Sequence, residues 1–279
     1  MLMDFKYESS SGEVIALNDA RTVVGTPLEL LGASWDYQIS NGGAVSGAAR
    51  TMRSLNLVAA FVDAAEADHV YEVLDGDMAQ GLGGVLHSGK WSQRAIVTGA
   101  TVKKLKGGAV EVQFAIRLLD GFWQRVTKFA LTPGSADDST TTGLDYPTDF
   151  PFDYAGTSRS NQIASVSSGG CSVRVTFFGP CVNPYVRIGS NVYAVNYTAG
   201  TGERIVIDPT KRRVVGGSIY LVGAFGEKTN LYDRRQRGTE GSGSYVFQRL
   251  PSGNLPVSWP QSYGVTLELI EERGALPWS

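Results

Sequence analysis

The sequence predicts a mainly β fold, and three observations carry the prediction. From Val173 to Asp208 the chain reads as short strands with turns about every eight to twelve residues, the rhythm of an antiparallel sandwich or jelly roll. There Val173, Val175 and Phe177 alternate with Arg174, Thr176 and Phe178. Gly179-Pro180 and Asn183-Pro184 break the chain, and Gly189-Ser190-Asn191 sits between the runs Tyr185 to Ile188 and Val192 to Tyr197. Second, Val110, Val112, Phe114, Ile116 and Leu118 alternate with Glu111, Gln113, Ala115 and Arg117, which gives one strand two different faces. Third, 34 glycines with frequent Val, Ser and Thr suit turns and strands better than a helical bundle.

In chain order, residues 1–33 are weakly patterned, with a short strand expected at Arg21 to Val24. Trp35 to Ser40 reads as a strand ended by Asn41-Gly42-Gly43. Leu55, Leu57, Ala59 and Phe61 share one face of a half-buried strand. Asp63 then starts the one convincing helix. Asp63 and Glu66 have capping-box spacing, and Ala67, Val70, Tyr71, Leu74 and Met78 form one apolar stripe. Gly81 stands where a left-handed cap is expected. After Gly83-Gly84 a segment from Leu86 to Trp91 leads into a long hairpin, Arg94 to Leu105 and Val110 to Leu118, turning at Lys106-Gly107-Gly108. Asp120-Gly121 turns again, and Trp123, Arg125, Thr127, Phe129 and Leu131 suggest one more strand. These elements make an α+β N-terminal domain over 1–133, with one helix and a long β-hairpin.

Gly134 to Gly143 is small, polar and turn-rich, and Leu144 to Tyr154 adds aromatics, prolines and aspartates, so 134–162 is read as an extended connector. A C-terminal β-sandwich domain is expected over 163–279. Its strands are Ile163 to Val166, those of the focal stretch, Arg204 to Ile207, Arg213 to Val215, Ile219 to Val222, Tyr245 to Leu250 and Gly264 to Ile270. Phe225 to Gly238 is read as a charged loop and Pro251-Ser252-Gly253-Asn254 as a turn.

The search for chemistry returns little. A net charge of −2 gives no argument for nucleic acid or an anionic membrane. No apolar run reaches the length of a membrane span, and the N-terminus lacks a signal-peptide pattern. The two cysteines, Cys171 and Cys181, are read as reduced, partly buried thiols. His69 and His87 are the only histidines, and neither accompanies a nucleophile elbow or a zinc spacing. Asp145, Asp149 and Asp153 would suggest a calcium loop or hydrolytic carboxylates, but a proline-broken segment does not control their geometry, and loop carboxylates are the plainer reading. Lys211, Arg212, Arg213, Arg234, Arg235 and Arg237 are interspersed with Glu203, Asp208, Glu227 and Asp233, which reads as interface or solvated charge. Trp259, Tyr263 and Tyr245 offer stacking faces for a sugar. No enzyme, cofactor or metal site is therefore expected. The alternative function is a carbohydrate-binding β-sandwich module on a viral or cell-surface particle.

One phrase has a family likeness. The run from Phe177-Phe178-Gly179-Pro180 through Asn183-Pro184-Tyr185, Tyr193, Val195-Asn196 and Gly202-Glu203 to the Ile-Val-Ile-Asp strand resembles the C-terminal domain of distal tail (Dit) proteins from long, non-contractile-tailed bacteriophages. Asn230 to Arg234 and Glu268 to Arg273 resemble it too, and Leu118 to Trp123 matches more loosely. The resemblance implies a tail-tube-like N-terminal domain joined to a galectin-like β-sandwich. It implies a homo-hexameric ring in the virion, assembled in the bacterial host cytoplasm. Such a ring joins the tail tube protein to the tail-tip hub and to receptor-binding or adhesion proteins, with DNA passing through its centre. A ring of identical subunits needs a heterologous interface that closes. The two-faced hairpin is the expected contact, with Glu111, Gln113 and Arg117 on its outer face.

Overall fold

Alternation in the long hairpin organises the first half of the chain, and short strands stitched at tight turns organise the second. The structure is a computed structural model that describes residues 5–17, 22–24, 32, 36–49, 51–134, 161–165, 169–211 and 217–277. Among the described residues it is mainly β with one α-helix. The chain divides into two compact units, 1–125 with 272–279, and 126–271.

The first unit contains β1 (Phe5–Glu8), β2 (Val14–Ala16), β3 (Thr22–Val24), β4 (Asp36–Ile39), β5 (Val45–Ala49), β6 (Arg53–Phe61), α1 (Ala64–Gln80), β7 (Gly84–Ser88), β8 (Trp91–Lys106) and β9 (Ala109–Leu118). The start of β10 (Trp123–Leu131) also belongs to it. Its antiparallel sheet runs β2-β1-β7-β8-β9-β6-β3. Leu55, Leu57, Ala59 and Phe61 of β6 and the even-numbered apolar residues of β9 are buried on one face, as the period-2 pattern requires. The helix covers that face: Phe114 meets the ring of Phe61 edge-on at 6.3 Å and that of Tyr71 at 6.4 Å.

Both ends of α1 are set by local chemistry. Asp63 is extended, and its Oδ1 accepts from Ala65 N at 3.0 Å. Gly81 adopts φ 64°, and Gly81 N and Leu82 N donate to the carbonyls of Met78 and Asp77 in a Schellman arrangement. One expectation fails here: Met78 is solvent-exposed, and the neighbouring Asp77 turns inward instead. Tyr7 Oη donates to Asp77 Oδ2 at 2.5 Å, and Ser10 N and Oγ donate to Oδ1 at 2.7 and 2.6 Å. Burial and this bond push the Tyr7 phenol well above its ordinary range. Tyr7 Oη in turn accepts from Gly84 N, where a Cβ would collide with the Glu8 carbonyl at 2.3 Å. The N-terminal strands β1 and β2, unread in the sequence, are tied to the helix by this network.

The second unit continues β10 and adds β11 (Asn161–Ser165), β12 (Ser172–Phe178), β13 (Cys181–Val182), β14 (Tyr185–Ile188), β15 (Asn191–Ala194), β16 (Thr198–Ala199), β17 (Arg204–Ile207), β18 (Ile219–Val222), β19 (Lys228–Asn230), β20 (Gly253–Ser258) and most of β21 (Val265–Arg273). One sheet contains β19-β18-β17-β12-β21, another β11-β20-β14-β15, and β13 pairs with β16. Val175, Ile205 and Leu267 from the first sheet and Val186, Tyr193 and Val257 from the second share one buried core, which makes the unit a sandwich.

One expected strand and one expected turn are corrected. Tyr245 to Leu250 is irregular, because Asn191 takes the place of a neighbouring strand. Its amide donates to Tyr245 O at 2.9 Å and accepts from Tyr245 N at 3.2 Å. The turn expected at Pro251 to Asn254 gives way to β20 from Gly253 onward, which pairs with both β11 and β14. Arg213 to Val215, the aspartates 145, 149 and 153, and nearly all of the 134–162 connector lie outside the described residues. Of the connector, Gly134 is described, and Asn161 and Gln162 fall within β11.

Candidate assembly surface

The hairpin of β8 and β9 is built by sequence alone. Gly107 and Gly108, at φ 59° and 90°, form a two-residue turn that only glycine enters without strain, twice over. From there β9 runs between β8 and β6 and pairs with both. Glu111 lies opposite Lys104 and Ala60, Gln113 opposite Thr101 and Val58, and Arg117 opposite Ile96 and Ser54. The three expected interface residues thus share one face of the middle strand. Both edges of β9 are occupied, so contact through these residues is made by side chains and not by a backbone ladder. Arg117 is exposed, Gln113 is half-buried, and Glu111 is held by Lys104 Nζ at 3.2 Å.

Among the described residues the open edge belongs to β8. On the side away from β9, β7 pairs with Trp91 to Ala95 only. Among the described residues no further strand follows along that edge as far as Lys106, a run of roughly 35 Å. Lysines occupy three of its last four positions, Lys103, Lys104 and Lys106, a composition that deters indiscriminate edge pairing.

Register shifts between Val97 and Gly99, and again between Val102 and Lys104, rotate the arm. They bring Val102 and Leu105 opposite Val112 and Val110, on the face that the helix covers further along. Yet Val112 is fully buried while Val102 is 54% and Leu105 71% exposed. The apolar face of the hairpin therefore runs past its own cover. Sequence reasoning missed these two residues. In a strict alternation Val102 and Leu105 fall on opposite faces, and only the second bulge places them together.

Other sequence candidates fall into structural roles. His69 Nε2 lies 3.0 Å from Glu13 and His87 Nε2 2.9 Å from Glu8, each a partly exposed polar contact. Cys171 and Cys181 are buried and form no disulfide, and burial raises the Cys181 thiol. The three aromatics proposed to stack on a sugar turn inward. Tyr263 Oη donates to Tyr185 O and accepts from Tyr185 N, both at 2.8 Å. Burial pushes its phenol up to about 12. Trp259 Nε1 donates to Tyr263 O at 3.2 Å, and the Tyr245 ring packs edge-on against Phe247 at 5.9 Å. Among the basic residues, Arg235 stacks on Tyr232 at 3.8 Å and Lys211 on Tyr220 at 5.6 Å. Arg212 and Arg213 lie outside the described residues.

No protein-family model matches the sequence, and no curated protein matches it. Solved structures do. The Dit protein of phage SPP1, described as a paradigm of the hub adsorption apparatus in phages infecting Gram-positive bacteria, is similar at 12% identity and a TM-score of 0.53. The match covers 98% of this chain and 100% of that one. The chain has the fold of a phage Dit protein. Structures of the phage p2 baseplate in its activated conformation, one with calcium and one with strontium, agree, each at a TM-score of 0.54 and 12% identity. Each covers 99% of this chain and 100% of the other. The Dit-like fold thus accounts for both units and not only for the C-terminal sequence likeness.

Proposed function

We propose that this chain is a non-enzymatic structural protein of a phage tail, the hub ring that joins the tail tube to the tail tip or baseplate. The observation that carries the reading is the likeness to phage hub and baseplate proteins over essentially the whole length of both chains. In this reading the protein works as a homo-hexamer in the virion, with the tail tube protein on one side. The tail-tip hub and receptor-binding or adhesion proteins lie on the other, and assembly takes place in the host cytoplasm. The N-terminal region to about residue 133 forms the ring, and the C-terminal sandwich from about residue 163 faces the adhesion proteins.

The β8–β9 hairpin is the ring contact in this proposal. Its supports are the unfilled β8 edge, the overhanging Val102 and Leu105, and the row Glu111, Gln113 and Arg117 on the opposite face. A strand offering one side to its own core and the other to a neighbour suits a heterologous interface that closes. Light scattering with negative-stain imaging of the purified chain tests the reading. A ring of several copies supports it, and a single-copy particle overturns it. Inward-turned Trp259, Tyr263 and Tyr245 remove the sequence-level motive for the alternative, a sugar-binding module.

A further inference from the structure

Two features of the second unit remain unused by the ring contact, and they are complementary. The first is a knob. The β18–β19 hairpin turns through Gly223-Ala224-Phe225-Gly226, and the Phe225 side chain stands 99% exposed. The turn is firmly made. Gly223 N donates to Glu227 O at 2.9 Å, Phe225 N donates to the Glu227 carboxylate at 3.2 Å, and Gly226 sits at φ 91°. A Cβ on Gly223 would strike Glu227 at 1.8 Å. Beside it lies the loop before β17, where Glu203 accepts from Gly200 N at 2.6 Å, and a Cβ on Gly202 would rest 3.5 Å from Ala224. The knob is therefore flanked by two carboxylates. Of the neighbouring cations, Lys228 lies over the Tyr220 ring at 5.4 Å.

The second feature is a cleft of about 610 Å³ whose apolar lining includes Pro251 and Leu255, with buried Ile188 and Leu250 behind them. Arg249 lies at this cleft, its guanidinium donating to Gly170 O at 3.2 Å and Ser172 Oγ at 3.3 Å. Glycines 169, 170, 189, 241 and 243 also line it, beside polar Ser190, Asn191, Gln248 and Ser252, so a partner's backbone can come close and find hydrogen-bond partners. Knob and cleft lie at opposite ends of β12. The cleft adjoins Cys171, which bridges to Leu250, and the knob adjoins Val222, joined through Arg204 to Phe178. The length of β12 separates them by roughly 20 Å or more, so one copy cannot join its own two sites.

We infer that Phe225 of one copy seats in the Ile188–Leu255 cleft of a second copy, with Glu227 and Glu203 facing the rim that carries Arg249. An aromatic anchor entering an apolar pocket under complementary charge is the usual make-up of an interface hot spot. A knob and a socket at opposite ends of one unit form a head-to-tail contact, which either closes into a ring or extends. This contact goes beyond the hairpin surface and does not depend on it.

Directed cross-linking tests the inference. Ala224→Cys and Ser190→Cys are made in separate chains, mixed, and treated with a short bismaleimide; both positions are exposed, while native Cys171 and Cys181 are buried. The mixture yields a covalent dimer, neither variant alone does, and adding Phe225→Ala to the Ala224→Cys chain cuts the yield by roughly tenfold or more. No dimer in the mixture, dimer from Ala224→Cys alone, or a yield indifferent to Phe225→Ala overturns the inference. Light scattering of the same samples reports separately whether the hairpin-mediated ring has formed.

Discussion

The two units bury their apolar surface in different ways: the first leaves part of an apolar face open, and the second closes its core between two sheets. In the first unit a long two-faced sheet is covered by a single helix. The cover stops short, and Val102 and Leu105 continue the apolar face into solvent. In the second unit two sheets close on each other, and the ends are stitched by side chains that bond to backbone: Asn191 to Tyr245, Tyr193 to Gln248 O, and Tyr263 to Tyr185. A unit that finishes its own core leaves loops to recognise partners. A unit that does not leaves a face.

If each unit is held by its own device, damage to one should leave the other standing. The largest effect is expected at Asp77. Asp77→Ala leaves Tyr7 Oη and Ser10 N without their acceptor, at a cost of about 3 kcal/mol. Hydrogen exchange should speed at Gly84 and Leu86 while the amides of β12 and β17 stay protected. Next comes Asn191→Ala, which strips two bonds from the Tyr245 backbone and costs about 2 kcal/mol. Here exchange should rise in the second unit only. A variant of either kind that loosens both units equally would break the comparison.

A smaller effect is expected at the hairpin turn. Ala at Gly107 or Gly108 meets a left-handed backbone and should cost about 1 kcal/mol each in urea unfolding. Alkaline titration sharpens the contrast further. Burial holds the Tyr263 phenol at about 12 and raises those of Tyr193 and Tyr7 as well, against an ordinary value near 10. Folded-state values above the unfolded one mean that this stability is complete below about pH 10. It declines through about pH 12, as the unfolded chain ionises first. Each tyrosine contributes a slope of at most about 1.4 kcal/mol per pH unit. With two of the three tyrosines, the second unit should lose more stability than the first over that range, read by melts at stepped pH.

Much of this was legible in the sequence where one residue type settles one local choice. Asp63 and Gly81 fixed both ends of the helix, and strict alternation placed every even residue from Val110 to Leu118 inside. The turn glycines set the hairpin. What escaped depended on partners distant in the chain. Asp77 carries no local signal, because its partners Tyr7 and Ser10 reach it from about seventy residues away. Tyr245 to Leu250 has a strand's alternation, but a buried asparagine, not a strand, answers its backbone. β1 is only four residues long, too short for its Phe5 and Tyr7 to make a period. Bulges in β8 hid the overhang at Val102 and Leu105, because alternation counts residues and a bulge skips one.

The central claim is that the outer surface of the β8–β9 hairpin joins copies and does not hold the fold. Glu111→Lys with Arg117→Glu reverses two charges on that face, both outside the core. The deciding measurement is the mass of the purified chain in solution by light scattering, wild type beside this double variant, at matched melting temperature. The account predicts a multi-copy ring for the wild type and loss of that ring, to a smaller mass, for the variant. A variant with the same multi-copy mass as the wild type, or a wild type found only as single copies, would contradict it.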